Sequence, residues 1–125
     1  MKTMNKLVLV IIFLGFVTGL NAQENIKRKI LHHVLLIQWS QDHDKQIKNE
    51  VINLFTELPS KIDGLENFSI KKVEKSSGDF HSMLVFEFSS KEALAAYDEH
   101  PDHEKVKTLA PQIISGYAEY DYWDL

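Results

Sequence analysis

Two segments of the sequence are apolar on both sides of an extended chain. LHHVLLIQW (Leu31–Trp39) and FHSMLVFEF (residues 80–88) are rich in aliphatic and aromatic residues and have the length of strands. Successive side chains of a strand point to opposite faces of a sheet, so both faces of these strands need a cover. If one face stayed in water, the folded state would lose roughly 1.5–3 kcal/mol of stabilising free energy for each large apolar side chain on it.

An amphipathic helix is predicted after the first strand. Its apolar stripe recurs at spacings of four, three and four residues and comprises Ile47, Val51, Leu54 and Leu58. Ser40 or Asp42 is predicted to cap this helix, and Pro59 to end it.

The remaining segments complete a recognisable order of elements. Residues 65–74 alternate as a second strand does, residues 80–88 form the third, and residues 113–123 form the last. The S-x-x-E pattern of Ser89 and Glu92 predicts a capped helix, which Pro101 breaks into two pieces. The order is β-α-β-β-α-β, which indicates an α+β, ferredoxin-like subunit with an antiparallel sheet and helices on one face only.

The second face of that sheet has no cover within the chain. It carries Val34 and Leu36 on the first strand and Met83 and Val85 on the third. A second copy packed sheet against sheet would bury these side chains. We therefore expect a homodimer that associates through the sheet face.

The first 22 residues have the three-part pattern of a secretory signal peptide. Lys2 and Lys6 give a positive start, residues 7–17 are an unbroken apolar run, and a short stretch of small and polar character ends at Ala22. The run is shorter than the roughly 20 residues that a membrane-spanning helix needs. We expect cleavage after Ala22 and export to the periplasm or the medium, with no membrane attachment afterwards; an uncleaved anchor is the alternative.

The rest of the chain is expected to form one domain, residues 31–125, after a lead-in at residues 23–30. The net charge of −4 and the lack of a basic stripe argue against nucleic acid as a partner. The sequence contains no cysteine, which excludes disulfides, thiolate metal ligands and a cysteine nucleophile. No metal-binding or phosphate-binding motif is present, so we expect neither a metal nor another cofactor.

Three stretches together resemble one family. They are HVLLIQW from His33, FEFSSKEALAAYDEHPDHEKV from Phe86, and EYDY from Glu119. Their order and spacing, above all EALxAYxxHPxH, are similar to the stress-responsive dimeric α/β-barrel (Dabb) family. The resemblance implies a subunit that pairs into a barrel across two sheets, with a pocket between the helices and the sheet of each subunit.

The plant olivetolic acid cyclases are a branch of this family, and the resemblance implies roles for two residues here. Tyr97 and His103 match a tyrosine and a histidine that carry aldol cyclisation in that branch. A neutral imidazole can take a proton from carbon between carbonyls, and a tyrosine hydroxyl can hold the resulting enolate oxygen. The chain departs from the plant pattern at Ser82, where those enzymes have a further histidine; His81 is one residue away and would point to the opposite face.

The resemblance also implies which residues line the pocket. His33 matches another pocket histidine, and the predicted strand faces place further residues beside it. The predicted ligand-binding set is His33, Leu35, Ile37, Ser82, Leu84 and His100. His100 precedes a proline and has a second interpretation, in which it fixes the bend between helices by bonding to the backbone.

Three functions remain open from the sequence. The first is an exported homodimer that binds a small apolar or aromatic molecule. The second is a lyase or cyclase with His103 as general base and Tyr97 as orienting acid. The third is a structural, stress-associated protein whose pocket is filled by its own side chains. An enzymatic activity is therefore undecided, and a connected cavity beside Tyr97 and His103 would favour the first two functions over the third.

Overall fold

The computed structural model describes residues 29–124, so the predicted signal peptide lies outside the described residues. The elements in chain order are β1 (Leu31–Trp39), α1 (Lys45–Glu57), β2 (Leu65–Lys72), β3 (Ser82–Phe88), α2 (Lys91–Glu99), α3 (Pro101–Leu109) and β4 (Ile114–Trp123). Short 3-10 turns at Leu58–Ser60 and Ala110–Gln112 follow α1 and α3. Within the described range, every helix is too short or too polar to cross a membrane.

The four strands form one open antiparallel sheet in the order β2-β3-β1-β4. The two strands that are apolar on both sides, β1 and β3, are therefore the central pair. This is the ferredoxin-like topology that the sequence predicts, and the prediction is confirmed.

The helices cover one face of the sheet and enclose the core. Aromatic and aliphatic side chains of that face, including Phe86 and Phe88, are fully buried against the helices. From the helical side, Val51 and Phe55 of α1, Tyr97 of α2 and other apolar residues complete the cluster. All members of this core lie within the described residues.

The other face, which we call the open face, has no helix from residues 29–124 on it. Val34 and Val85 are paired across its centre, and Leu36 is paired with Met83. Tyr120 and Tyr122 of β4 belong to the same face and are 58% and 49% exposed. Large aromatic side chains left this exposed beside an apolar centre are typical of a surface that another protein covers.

The helix caps differ from the predicted ones. Asp44, in extended conformation, caps α1 by accepting hydrogen bonds from the amides of Gln46 and Ile47. Asp42 has a positive φ of 56°, a left-handed turn conformation, and not the extended one that a cap requires. The prediction of Ser40 or Asp42 was therefore wrong.

The cap of α2 is Ser90, not Ser89. The hydroxyl of Ser90 accepts a hydrogen bond from the amide of Ala93, whereas the amide of Ser89 donates to the carbonyl of Gly64. The residue three positions after Ser90 is alanine, so the reciprocal bond of the predicted capping box cannot form.

The two strands on either side of the turn at Asp79 are shorter than predicted. β2 ends at Lys72, and β3 begins at Ser82.

The joint between α2 and α3 forms as its proline predicts. His100 has extended backbone angles, and its Nδ1 accepts a hydrogen bond from the amide of Asp102. Pro101 occupies the first turn of α3, and Asp102 and Glu104 follow it there, where acidic side chains favour the helix dipole. His100 thus caps α3, which is the backbone role that was its second interpretation from the sequence.

Candidate functional site

A cavity of about 360 Å³ lies between the sheet and helices α1, α2 and α3. This volume falls within the roughly 300–1,000 Å³ usual for small-molecule sites. Its inner wall is apolar and includes Leu35, Ile37, Val51, Phe55 and Leu84. Its polar lining residues are His33, Trp39, Tyr97, Asp98, His103, Lys107, Tyr117 and Glu119.

Tyr97 borders this cavity and is completely buried. Its ring packs against Phe86, Phe88 and His33, with ring centres 5.0, 5.5 and 5.4 Å away. Among the described residues its hydroxyl has no hydrogen-bond partner. A buried hydroxyl without a partner is costly in a folded protein and is often explained by a missing ligand or water.

The Tyr97 hydroxyl stays protonated at neutral pH. Burial raises the pKa of this hydroxyl far above its ordinary value of 10.0, and the negative charges of Asp98, Glu119 and Asp121 raise it further. The group is therefore a hydrogen-bond donor without an acceptor in residues 29–124, on a residue that lines the cavity.

The ring of His103 contacts that of Tyr97 in a tilted arrangement, with a ring-centre distance of 4.3 Å. Its Nδ1 lies 3.1 Å from the carbonyl oxygen of Asp98. A carbonyl only accepts, so Nδ1 carries the hydrogen and Nε2 of the neutral ring has the free lone pair. The structure thus brings into contact the rings of the two predicted catalytic residues, Tyr97 of α2 and His103 of α3.

His33 also belongs to the site, through contacts that the sequence did not predict. It is 3% exposed, and its Nδ1 lies 2.6 Å from Oδ1 of Asp121 and 3.7 Å from Oε1 of Glu119. Both carboxylates project from β4 on the face that the helices cover, because the β1–β4 register places them opposite His33 and Leu35. The sequence signal was present as acidic residues two positions apart on a strand, but it did not show which β1 residue they would face.

The structure separates the other predicted ligand-binding residues into two groups. Leu35, Ile37 and Leu84 line the cavity together with His33. Ser82 and His100 are not among the lining residues: the hydroxyl of Ser82 accepts a hydrogen bond from the indole nitrogen of Trp39, and His100 caps α3.

Solved structures with the same fold include a dimeric protein, a member of the Dabb family and an enzyme. A dimeric ferredoxin-like protein from Bacteroides fragilis is 23% identical, with a TM-score of 0.57; the match covers 74% of this chain and 94% of that one. A Dabb family protein from Mesorhizobium loti is 20% identical, with a TM-score of 0.64 and coverage of 78% and 98%. A hydroxynitrile lyase from Passiflora edulis is 10% identical, with a TM-score of 0.66 and coverage of 79% and 96%.

The fold and these neighbours define the class as a ferredoxin-like subunit, and several of the neighbours are described as dimeric. The model of the stress-responsive A/B barrel domain, Dabb, matches residues 31–124, and the chain belongs to that family. No protein of curated function matches the sequence significantly.

Proposed function

We propose that the protein is an exported homodimer that binds a small apolar or aromatic molecule in the cavity beside Tyr97 and His103. The observation that carries the proposal is the buried Tyr97 hydroxyl, which has no partner among the described residues and belongs to a residue that lines an apolar space of about 360 Å³. A ligand with an apolar body and one hydrogen-bond acceptor fits both features.

The electrostatics of the site narrow the class of ligand. Asp98 and Glu119 line the cavity, and its lysine, Lys107, is already paired with Glu104 at 3.1 Å. A negatively charged ligand would meet more acidic than basic groups there. We therefore favour a neutral molecule whose carbonyl or hydroxyl oxygen accepts the proton of Tyr97.

A second candidate function is catalysis of the lyase or cyclase type. It is favoured by the hydrogen bond to the Asp98 carbonyl, which leaves Nε2 of His103 free to accept a proton on a ring in contact with the ring of Tyr97. A hydroxynitrile lyase with the same fold indicates that the scaffold can support lyase chemistry. The third candidate, a structural protein with a filled pocket, has less support because a largely apolar cavity of about 360 Å³ is present.

Two histidines of the same motif provide a matched test of ligand binding. His103→Ala should change the free energy of unfolding by no more than about 0.5 kcal/mol, as is typical outside the core. The same change should weaken binding of an aromatic or polyketide-like compound by about 1–3 kcal/mol, if the ligand loses its polar partner. Calorimetric titration and thermal melts measure the two effects.

His100→Ala is the control for that test, and it should show the opposite pattern. It removes the cap of α3 and should cost about 0.5–2 kcal/mol of stability. Binding should be unchanged because His100 does not line the cavity. If His103→Ala destabilises the protein and no compound of the panel distinguishes it from the parent, this histidine belongs to a helix joint and not to a ligand site.

Export is proposed from the pattern of residues 1–22. Ile12→Asp places a charge in the apolar run, where it costs about 2.5–3.5 kcal/mol on membrane-insertion scales. The variant should accumulate inside the cell as a precursor that still carries these residues. Fractionation followed by mass measurement checks this; normal export of the variant would show that the segment is not the signal.

A further inference from the structure

Three side chains on the covered face of the sheet form a compact donor group at the edge of the cavity. They are the imidazole of His33 and the carboxylates of Glu119 and Asp121. We propose that this group binds a divalent transition metal ion of the zinc class. The proposal goes beyond the proposed function, since it requires no organic ligand and neither Tyr97 nor His103 as a metal ligand.

The distances suit a single ion. The three donor atoms all lie within 4.8 Å of one another. Donors about 2.0–2.2 Å from a tetrahedral ion lie roughly 3.4 Å apart. The 3.7 Å between Nδ1 of His33 and Glu119 is already close to that value. The 2.6 Å to Asp121 must widen by less than about 1 Å, and the Asp121 side chain is exposed enough, at 43%, to move.

The charges around the group also favour a cation. Glu119 and Asp121 are two residues apart on β4, so both carboxylates project from the same face and repel each other. Within residues 29–124, His33 is the one basic group within ion-pair distance of either. An ion between the carboxylates would remove this repulsion and bond to the buried imidazole nitrogen.

The Tyr97 hydroxyl, which the proposed organic ligand also uses, belongs to a residue beside this donor group. It is fully buried, has no partner among the described residues, and belongs to a ring 5.4 Å from that of His33 in the same cavity. Zinc sites with three protein ligands keep water at a fourth position, and such a water beside His33 would be an alternative to an organic oxygen as the acceptor of this proton.

The donor types select the class of metal. Magnesium and calcium prefer oxygen ligands alone, whereas one imidazole with two carboxylates suits zinc and its transition-metal neighbours. We therefore expect zinc to bind in preference to magnesium.

A second histidine with two carboxylates lies on the open face and gives a matched control. Nε2 of His32 is 3.8 Å from Glu87, and Nδ1 of the same ring is 3.5 Å from Asp124. The two carboxylates approach opposite nitrogens of the ring, so they cannot converge on one ion. This group contains the same three residue types as the proposed site, but its donor atoms are not arranged around one point.

Calorimetric titration of untagged, chelator-treated protein with zinc chloride alone tests the proposal. We expect saturable binding of one ion per chain, and no comparable binding of magnesium. Glu119→Gln and Asp121→Asn keep size and exposure, and each should weaken binding by at least the roughly 10–100-fold that loss of an outer-shell partner causes. Glu87→Gln and Asp124→Asn should leave binding unchanged.

Three results would overturn the metal site. They are an absence of saturable zinc binding, a Glu119→Gln/Asp121→Asn double variant that binds as the parent does, and an equal loss in the two control variants. None of them would affect the proposed organic ligand, which the His103→Ala and His100→Ala pair tests separately.

Discussion

Tyr97→Phe should stabilise the protein while weakening its binding of a ligand. The tyrosine ring fills the core and remains in the variant, whereas the hydroxyl is buried and lacks a partner among the described residues. Removing such a group relieves a desolvation cost, so the free energy of unfolding should rise by about 1 kcal/mol. A ligand whose oxygen accepts the proton of this hydroxyl should lose about 1–3 kcal/mol of binding free energy.

The stabilisation should grow in alkaline solution. The folded state holds the pKa of the Tyr97 hydroxyl above its ordinary value, because burial opposes the phenolate. This contribution to stability is present in full below pH 10, where the unfolded chain also keeps the proton, and is lost as the pH rises further. At pH 11 the free energy of unfolding of the parent should therefore fall below that of the variant by about 1.4 kcal/mol more than it does at pH 7.

Tyr117→Phe is the control, since Tyr117 lines the same cavity but is 62% exposed. Its stability should match that of the parent at both pH values. Denaturant unfolding at pH 7 and pH 11, with calorimetric titration at pH 7, measures all three proteins. A Tyr97→Phe variant that is less stable at pH 7 and binds like the parent would mean that the hydroxyl has a structural partner.

Val85→Asp should convert the proposed homodimer to monomers. Val85 lies on β3, a central strand, and is paired with Val34 on the open face. A carboxylate buried there between two sheets would have no partner, and an unpaired buried charge costs several kcal/mol. The monomer should still fold, because the core lies on the other face of the sheet.

Ile70→Asp is the matched control for the dimer. Ile70 is on β2, opposite Leu84 on the face that the helices cover, and is 42% exposed. Sedimentation at micromolar concentration should give a dimer for the parent and for this control, and a monomer for Val85→Asp. A parent that sediments as a stable folded monomer, or a Val85→Asp dimer, would contradict association through the open face.

The fold followed from patterns that are local in the sequence. The two-sided apolar strands identified the central pair β1 and β3, and Pro101 identified the joint between α2 and α3. These features depend on side-chain alternation and on the missing amide of proline, so neighbouring residues suffice to predict them. The caps at Asp44 and Ser90 were missed, because several polar residues in a row can each cap a helix and backbone angles decide among them.

The candidate site was only half predictable for a different reason. Tyr97 and His103 lie in one motif, whereas His33 and Asp121 are 88 positions apart. Their contact depends on the register of β1 against β4, and a slip of one residue would turn the carboxylates to the open face. The sequence therefore predicted no metal site, although the folded chain brings three donor groups together.

The central claim is that a small molecule occupies the cavity between the sheet and the helices. A crystal structure of the protein with the compound that binds most tightly in titration tests this most directly. We expect electron density for the compound between α2, α3 and the sheet, with one of its oxygens within hydrogen-bond distance of the Tyr97 hydroxyl. Density for the compound only on the open face, or a cavity closed by the protein's own side chains, would contradict the account.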